Sequence, residues 1–137
     1  MFSASFDYYR AGSIAEAQQL LREHPGAKLL AGGHSLIPLM KLRLATPAAL
    51  VDIGRIPALK GVSSSGPTLR IGALTTHAEL AASALLLASC PMLAEAYGEV
   101  GDAQVRNVGT IGGNIAHADP ASDLPTVLVA LAATIHA

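Results

Sequence analysis

The sequence predicts an α+β chain built in two parts, and three observations carry that expectation. Up to residue 58 the segments read strand, helix, strand, glycine turn, helix, strand, the alternation of a small α/β unit. Next, the polar stretch Ser63-Ser64-Ser65-Gly66-Pro67 stands between Gly61-Val62 and Thr68–Gly72, the pattern of a hairpin. From residue 76 onward, capping residues and prolines mark one helix after another. The Ile56-Pro57 and Ser-Gly-Pro punctuation divides the chain into residues 1–58 and 59–137.

Each element has its own signal. Phe2 to Tyr9 alternates loosely and reads as a short strand or extended arm. Ser13-Ile14-Ala15-Glu16 is a capping box, and Ile14, Ala17, Leu20 and Leu21 then fall on one face of a helix ending near His24-Pro25-Gly26. Lys28–Ala31 reads as a short buried strand broken by Gly32-Gly33. Ser35 to Leu44 follows as a helical or loop-helical stretch despite Pro38, and Leu50–Ile53 as another strand. Thr76-His77-Ala78-Glu79 is a second capping box, and Pro91 suits the first turn of a helix carrying Met92, Leu93, Ala96, Tyr97 and Val100. Gln104–Asn107 and Thr110–Asn114 read as strand and turn material, and Asp123 as the cap of a helix from Leu124 to Leu131. Ala133–Ala137 reads as the start of a strand with no hairpin partner after it, so the natural domain is expected to continue.

Composition narrows the class of function. The chain has 137 residues, 51% apolar and only 14% charged, enough for one domain or two small subdomains sharing a core. The apolar surplus hints at contact with another surface. A net charge of −1 without a basic stripe argues against a nucleic-acid partner. The lone Cys90 excludes an internal disulfide framework and a self-contained iron–sulfur cluster, and its apolar neighbours suit a buried structural thiol. Met1–Arg10 lacks the basic and apolar regions of a secretory signal, and the longest uncharged runs fall short of the ~20 residues of a spanning helix. No transmembrane segment is expected, and the expected location is the cytoplasm.

Two stretches carry chemistry. Leu29-Leu30-Ala31-Gly32-Gly33-His34-Ser35 takes a strand into two glycines and a hydroxyl residue. The N–H groups of Gly33, His34 and Ser35 can converge there on an anion. Gly109–Pro125 contains a second Gly-Gly pair, Gly112-Gly113, followed by Asn114, His117, Asp119 and Asp123. Two such turns are expected to hold phosphates by backbone donors alone, without spending Lys or Arg. Asp123 has two open roles, helix cap or acceptor for ligand hydroxyls, and Arg106-Asn107 either braces the loop or touches a phosphate. Asp119 before Pro120 is turn chemistry. His34 and His117 lack metal-site spacing, and Ser35 beside His34 is adjacency rather than a catalytic pair. No metal site and no catalytic side chain are expected, so any redox chemistry belongs to a bound cofactor. A nicotinamide site is disfavoured by the missing Gly-x-Gly-x-x-Gly turn.

Ala31–Pro38 and Thr110–Asn114 resemble the two FAD-binding signatures of the flavoprotein (medium) subunit of molybdenum hydroxylases, most nearly of the aerobic carbon monoxide dehydrogenase type. The likeness includes Met40-Lys41-Leu42-Arg43, Val51-Asp52-Ile53, Ile71–His77, Gln104-Val105-Arg106-Asn107 and Asp119–Pro125, in order along nearly the whole chain. It implies the two-part FAD-binding fold of vanillyl-alcohol-oxidase-like (PCMH-type) flavoproteins, a small N-terminal α/β subdomain with a larger, here incomplete, subdomain built on a mostly antiparallel sheet. It implies FAD contacts at Leu29, Leu30, Ala31, Gly32, Gly33, His34, Ser35 and Leu36, and at Gly72 and Thr75. Further contacts are implied at Thr110, Ile111, Gly112, Gly113 and Asn114, and at Ser122 and Asp123. The implied partners are a large subunit with the molybdenum cofactor, a small subunit with [2Fe–2S] clusters, and an external electron acceptor: a quinone, O₂ or NAD⁺. Family members continue well beyond this length. The alternative is therefore a truncated, non-catalytic assembly module that folds against partner subunits without binding FAD by itself.

Overall fold

Apolar residues on both faces of one strand dictate the first unit. A computed structural model describes residues 2–137, which divide into two compact units, Met1–Lys60 and Gly61–Ala137. In the first, β1 (Asp7–Arg10), β2 (Lys28–Leu30) and β3 (Ala49–Asp52) form a parallel sheet in the order β1-β3-β2. Central β3 buries Ala49, Leu50 and Val51 in succession, as a parallel strand covered on both faces must. Helices α1 (Ile14–Glu23) and α2 (Leu36–Lys41) make the crossovers, and a 3₁₀ turn at Pro57–Leu59 closes the unit. At the edge, β2 is not the buried strand expected: Lys28 and Leu29 are exposed and only Leu30 is half-buried.

The first capping box forms by halves. Ser13 Oγ accepts from Glu16 N–H at 3.1 Å, but the Glu16 carboxylate takes the N–H of Gly12 instead of Ser13. Asp52, at the end of β3, accepts from the Tyr8 hydroxyl and, at 2.8 Å, from Gly54 N–H, tying β1 and the following turn to the central strand.

The second unit begins with an antiparallel hairpin, β4 (Val62–Ser65) and β5 (Thr68–Ile71). Ser63–Ser65 lie in β4 rather than in the turn, because Ser65 pairs with Thr68 and leaves only Gly66-Pro67 between strands. Gly66 at φ +59° takes the first central position, where a twisted two-residue hairpin favours glycine. Six helices follow: α3 (His77–Ala81), α4 (Ala84–Ser89), α5 (Pro91–Gly98), α6 (Ala103–Val108), α7 (Ile111–His117) and α8 (Asp123–Ala130). They surround a core of Leu80, Leu86, Leu93, Ala94, Tyr97, Ile111 and Leu124. The described chain is thus α+β.

Three expectations in this unit are corrected. Gln104–Asn107 and Ile111–Asn114 are helical, because Asp102 Oδ1 accepts from Val105 N–H at 2.9 Å and the extended Thr110 caps α7, its Oγ1 accepting from Gly113 N–H at 3.1 Å. Asp123 does not cap α8: Ser122 is the N-cap residue, and Asp123 occupies the first helical position with no side-chain cap bond. Ala133–Ala137 forms no strand. The Thr76 capping box, by contrast, is complete, with Glu79 N–H donating to Thr76 Oγ1 and Thr76 N–H to Glu79 Oε2. None of these helices is long and apolar enough to cross a membrane.

Candidate cofactor site

The first glycine turn is built from the end of β2 into α2. Leu29 and Leu30 close the strand, Ala31 to Ser35 form the turn, and Leu36 opens the helix. Gly33 has φ +74°, a conformation costly for any residue with a Cβ. A Cβ there would also lie 2.7 Å from Ile37 Cδ1 and 3.1 Å from Leu30 Cδ1. The turn is pinned by its carbonyls: Ile37 N–H donates to Gly33 O at 2.9 Å and Leu39 N–H to Ser35 O at 3.2 Å. Its donors behave differently. Among the described residues, no acceptor takes the N–H of Gly32, Gly33, His34, Ser35 or Leu36, and the Ser35 hydroxyl makes no cap bond. Five successive peptide donors with no protein acceptor suit an anion or a polar ligand.

The second turn spends its donors inside the protein. Ile111 N–H donates to Thr75 O at 3.1 Å, Gly112 N–H to Ala73 O at 2.8 Å, and Asn114 N–H to Thr110 O at 3.0 Å. With Gly113 N–H held by Thr110 Oγ1, all four donors from 111 to 114 have partners. Gly112 is required by close approach, since a Cβ there would lie 2.7 Å from both Ala73 Cβ and Ala73 O. Thr76 and Thr110 form an antiparallel bridge, flanked by His77 N–H to Gly109 O at 3.0 Å. Close approach of His77 and Val105 O at Gly109, and of Ala73 at Gly112, leaves no room for a Cβ at either position. The donors expected to face a ligand at Gly112-Gly113 are engaged by Ala73 O and Thr110 Oγ1.

The remaining candidates divide in the same way. Gly72 N–H donates to Gly61 O at 2.9 Å. The buried Thr75 hydroxyl accepts from Gly61 N–H at 2.9 Å and lies 3.1 Å from Gly61 O, so its side chain braces the hairpin base. Asn114 and Ser122 meet through their side chains, Nδ2 to Oγ at 3.0 Å. Asp123 is exposed, and its carboxylate makes no hydrogen bond among the described residues. It lines, with Ser122, Ala96, Glu99, Val100, Gly101, Ala121 and Leu124, a cleft of about 180 Å³. Arg106 braces, donating through Nη1 to Val100 O at 3.0 Å and Gly101 O at 3.1 Å. Sequence reasoning missed Ala73, whose carbonyl and Cβ receive Gly112, and His77, whose ring abuts Gly109. The Thr76–Glu79 capping box, which fixes where α3 starts, and the Ile71–His77 block of the likeness pointed toward that corner.

Residues 4–137 match the family of the FAD binding domain in molybdopterin dehydrogenase. The chain belongs to this family. It is 48% identical over 134 residues to the carbon monoxide dehydrogenase medium chain of Hydrogenophaga pseudoflava, covering 97% of this chain and 47% of that protein. It is 44% identical over 135 residues to the glyceraldehyde dehydrogenase medium chain of Sulfolobus acidocaldarius, covering 98% and 48%. A solved structure of the H. pseudoflava carbon monoxide dehydrogenase lacking the Mo-pyranopterin moiety superposes with TM-score 0.93 at 50% identity, over 95% of this chain and 46% of that one. The chain therefore spans about half the length of the relatives it matches.

FAD is the cofactor of this domain family, and the match favours flavin binding over the assembly-module alternative. The residues present fit FAD unevenly. The Gly32–Leu36 donors and the unengaged Asp123 carboxylate suit phosphate oxygens and sugar-like hydroxyls respectively. The peptide groups of 111–114 do not, being committed to Ala73, Thr75 and Thr110.

Proposed function

We propose that this chain is part of the FAD-binding medium subunit of a molybdenum hydroxylase complex. In this reading, electrons from [2Fe–2S] clusters of a small partner subunit reach an external acceptor by way of FAD. A large partner subunit carries the molybdenum cofactor and the substrate. The observation that carries the reading is the run of five unengaged peptide donors, Gly32 to Leu36, behind a positive-φ glycine in a chain of this family. Bound FAD supplies a reversible store for an electron pair. The chain's own residues bind and orient it.

The peptide groups of Gly32 to Leu36 and the Ser35 hydroxyl would donate to phosphate oxygens of the cofactor. Within the second unit, the Asp123 carboxylate would be an acceptor for ligand hydroxyls, with the Asn114–Ser122 pair beside it. Ile111 N–H to Thr75 O and Gly112 N–H to Ala73 O keep α7 stapled, which fixes where Asn114 stands. The relatives act on molecules as different as carbon monoxide and glyceraldehyde, as their names state, which supports assigning substrate choice to the large subunit. The acceptor is a quinone, O₂ or NAD⁺, and the proposed location is the cytoplasm.

The test is co-expression with large and small subunits, followed by quantification of flavin, iron and molybdenum in the purified complex. One FAD per copy of this chain is expected. A folded, assembled complex without flavin would contradict the proposal.

A further inference from the structure

His77 is 3% exposed and Tyr97 fully buried, yet His77 Nδ1 and the Tyr97 hydroxyl lack a hydrogen-bond partner among the described residues. Their rings stack with centroids 5.4 Å apart at 16°. The Cδ2–Nε2 edge of the imidazole lies against Gly109, where a Cβ would be 2.9 Å and 3.0 Å from those two atoms. His77 N–H also donates to Gly109 O, beside the Thr76–Thr110 bridge that leads into α7. The imidazole is thus wedged between a core aromatic and the start of the second glycine turn. We propose that His77 is a positioning residue for Gly109–Gly113, and that it holds this turn only with a neutral ring.

The chemistry of the surroundings supports the second half of that statement. A protonated imidazole would be a buried cation with an N–H and no acceptor. The other titratable groups on α3 and the helices packed against it are Glu79, Glu95, Tyr97 and Arg106; α4 has none. Glu79 is committed to Thr76 and Arg106 to the Val100 and Gly101 carbonyls. Burial alone pushes His77 below its ordinary value of 6.5, with no neighbouring charge contributing. The folded state therefore prefers the neutral ring. Its contribution is fully present above 6.5 and is lost as pH falls toward the lowered folded value.

The positioning role stands apart from flavin binding, and only its consequence for FAD rests on the proposed function. The test uses the full chain from pH 7.5 to 5. NMR follows the His77 ring titration together with hydrogen-exchange protection, corrected for intrinsic rate, at the Ile111 and Gly112 amides. Amides of β3 serve as control. Protection should fall with His77 protonation, at most about tenfold per pH unit for one proton, while β3 holds. His77→Gln should flatten that dependence, and Tyr97→Phe should preserve it. An unchanged slope in His77→Gln overturns the proposal. So does a His77 titration that leaves Ile111 and Gly112 protection constant, a result readable without any variant that fails to fold. FAD release in acid with protection intact also overturns it and leaves the flavin reading standing. Protection that falls with His77 in a chain that never takes up FAD supports it and counts against the flavin reading.

Discussion

Among the described residues, the Gly32-Gly33 turn leaves its peptide donors without acceptors, whereas around Gly112-Gly113 every donor from 111 to 114 has one. Gly33 is required by its backbone, at φ +74°, and the side chains its Cβ would meet belong to Ile37 and Leu30. Gly112 lies in a helix and is required by its neighbour, because the Cβ position is filled by Ala73 backbone and Cβ. The same dipeptide therefore serves presentation in one unit and close packing in the other. A glycine pair signals that a Cβ is unwelcome. Only the fate of its N–H groups tells whether a ligand is the reason.

Substitutions can break this contrast, beginning with the largest effect. Gly112→Ala should cost about 1–3 kcal/mol, because rigid Ala73 atoms must move, and saturating FAD should not restore the urea midpoint of the FAD-free parent. Gly33→Ala should cost about 1–2 kcal/mol from the left-handed backbone alone. Adding Ile37→Ala relieves the side-chain overlap but not the backbone term, so FAD affinity should stay low. A double variant that recovers full FAD binding would show that Gly33 answers only to packing.

Smaller effects sharpen the comparison. Thr110→Val removes the α7 cap and should cost about 1 kcal/mol in a thermal or urea melt, with Thr110→Ser retaining most of it. Asp123→Asn should leave stability within about 0.5 kcal/mol, since the carboxylate has no partner in the described chain. The same change should weaken FAD about fivefold to tenfold in a fluorescence titration, as a charged acceptor becomes a neutral one.

Local chemistry was legible in the sequence. The Thr76 capping box, the Pro91 helix start and the short strand before Gly32-Gly33 all follow from residues within a few positions of one another. What the sequence concealed depends on distant contacts. Gly112-Gly113 reads as a turn because glycine costs about 1 kcal/mol in a helix interior. Here the Ala73 carbonyl, the Thr110 cap and burial of Ile111 outweigh that cost. Ser63–Ser65 read as a loop from polarity alone, whereas pairing across Gly66-Pro67 fixes them as strand. The candidate residues were legible as a set through their ordered blocks. Their division into donors for a ligand and donors for the fold was not, because it depends on where Ala73 and Thr75 sit.

The most direct test of that division is a ¹H–¹⁵N titration of the full chain with FAD, reading the two turns separately. The amides of Gly32 to Leu36 should shift and gain protection from exchange, while Gly112 and Gly113, already hydrogen-bonded to Ala73 and Thr110, should stay nearly unchanged. Shifts and new protection at Gly112 and Gly113, with Gly32 to Leu36 unaffected, would contradict it.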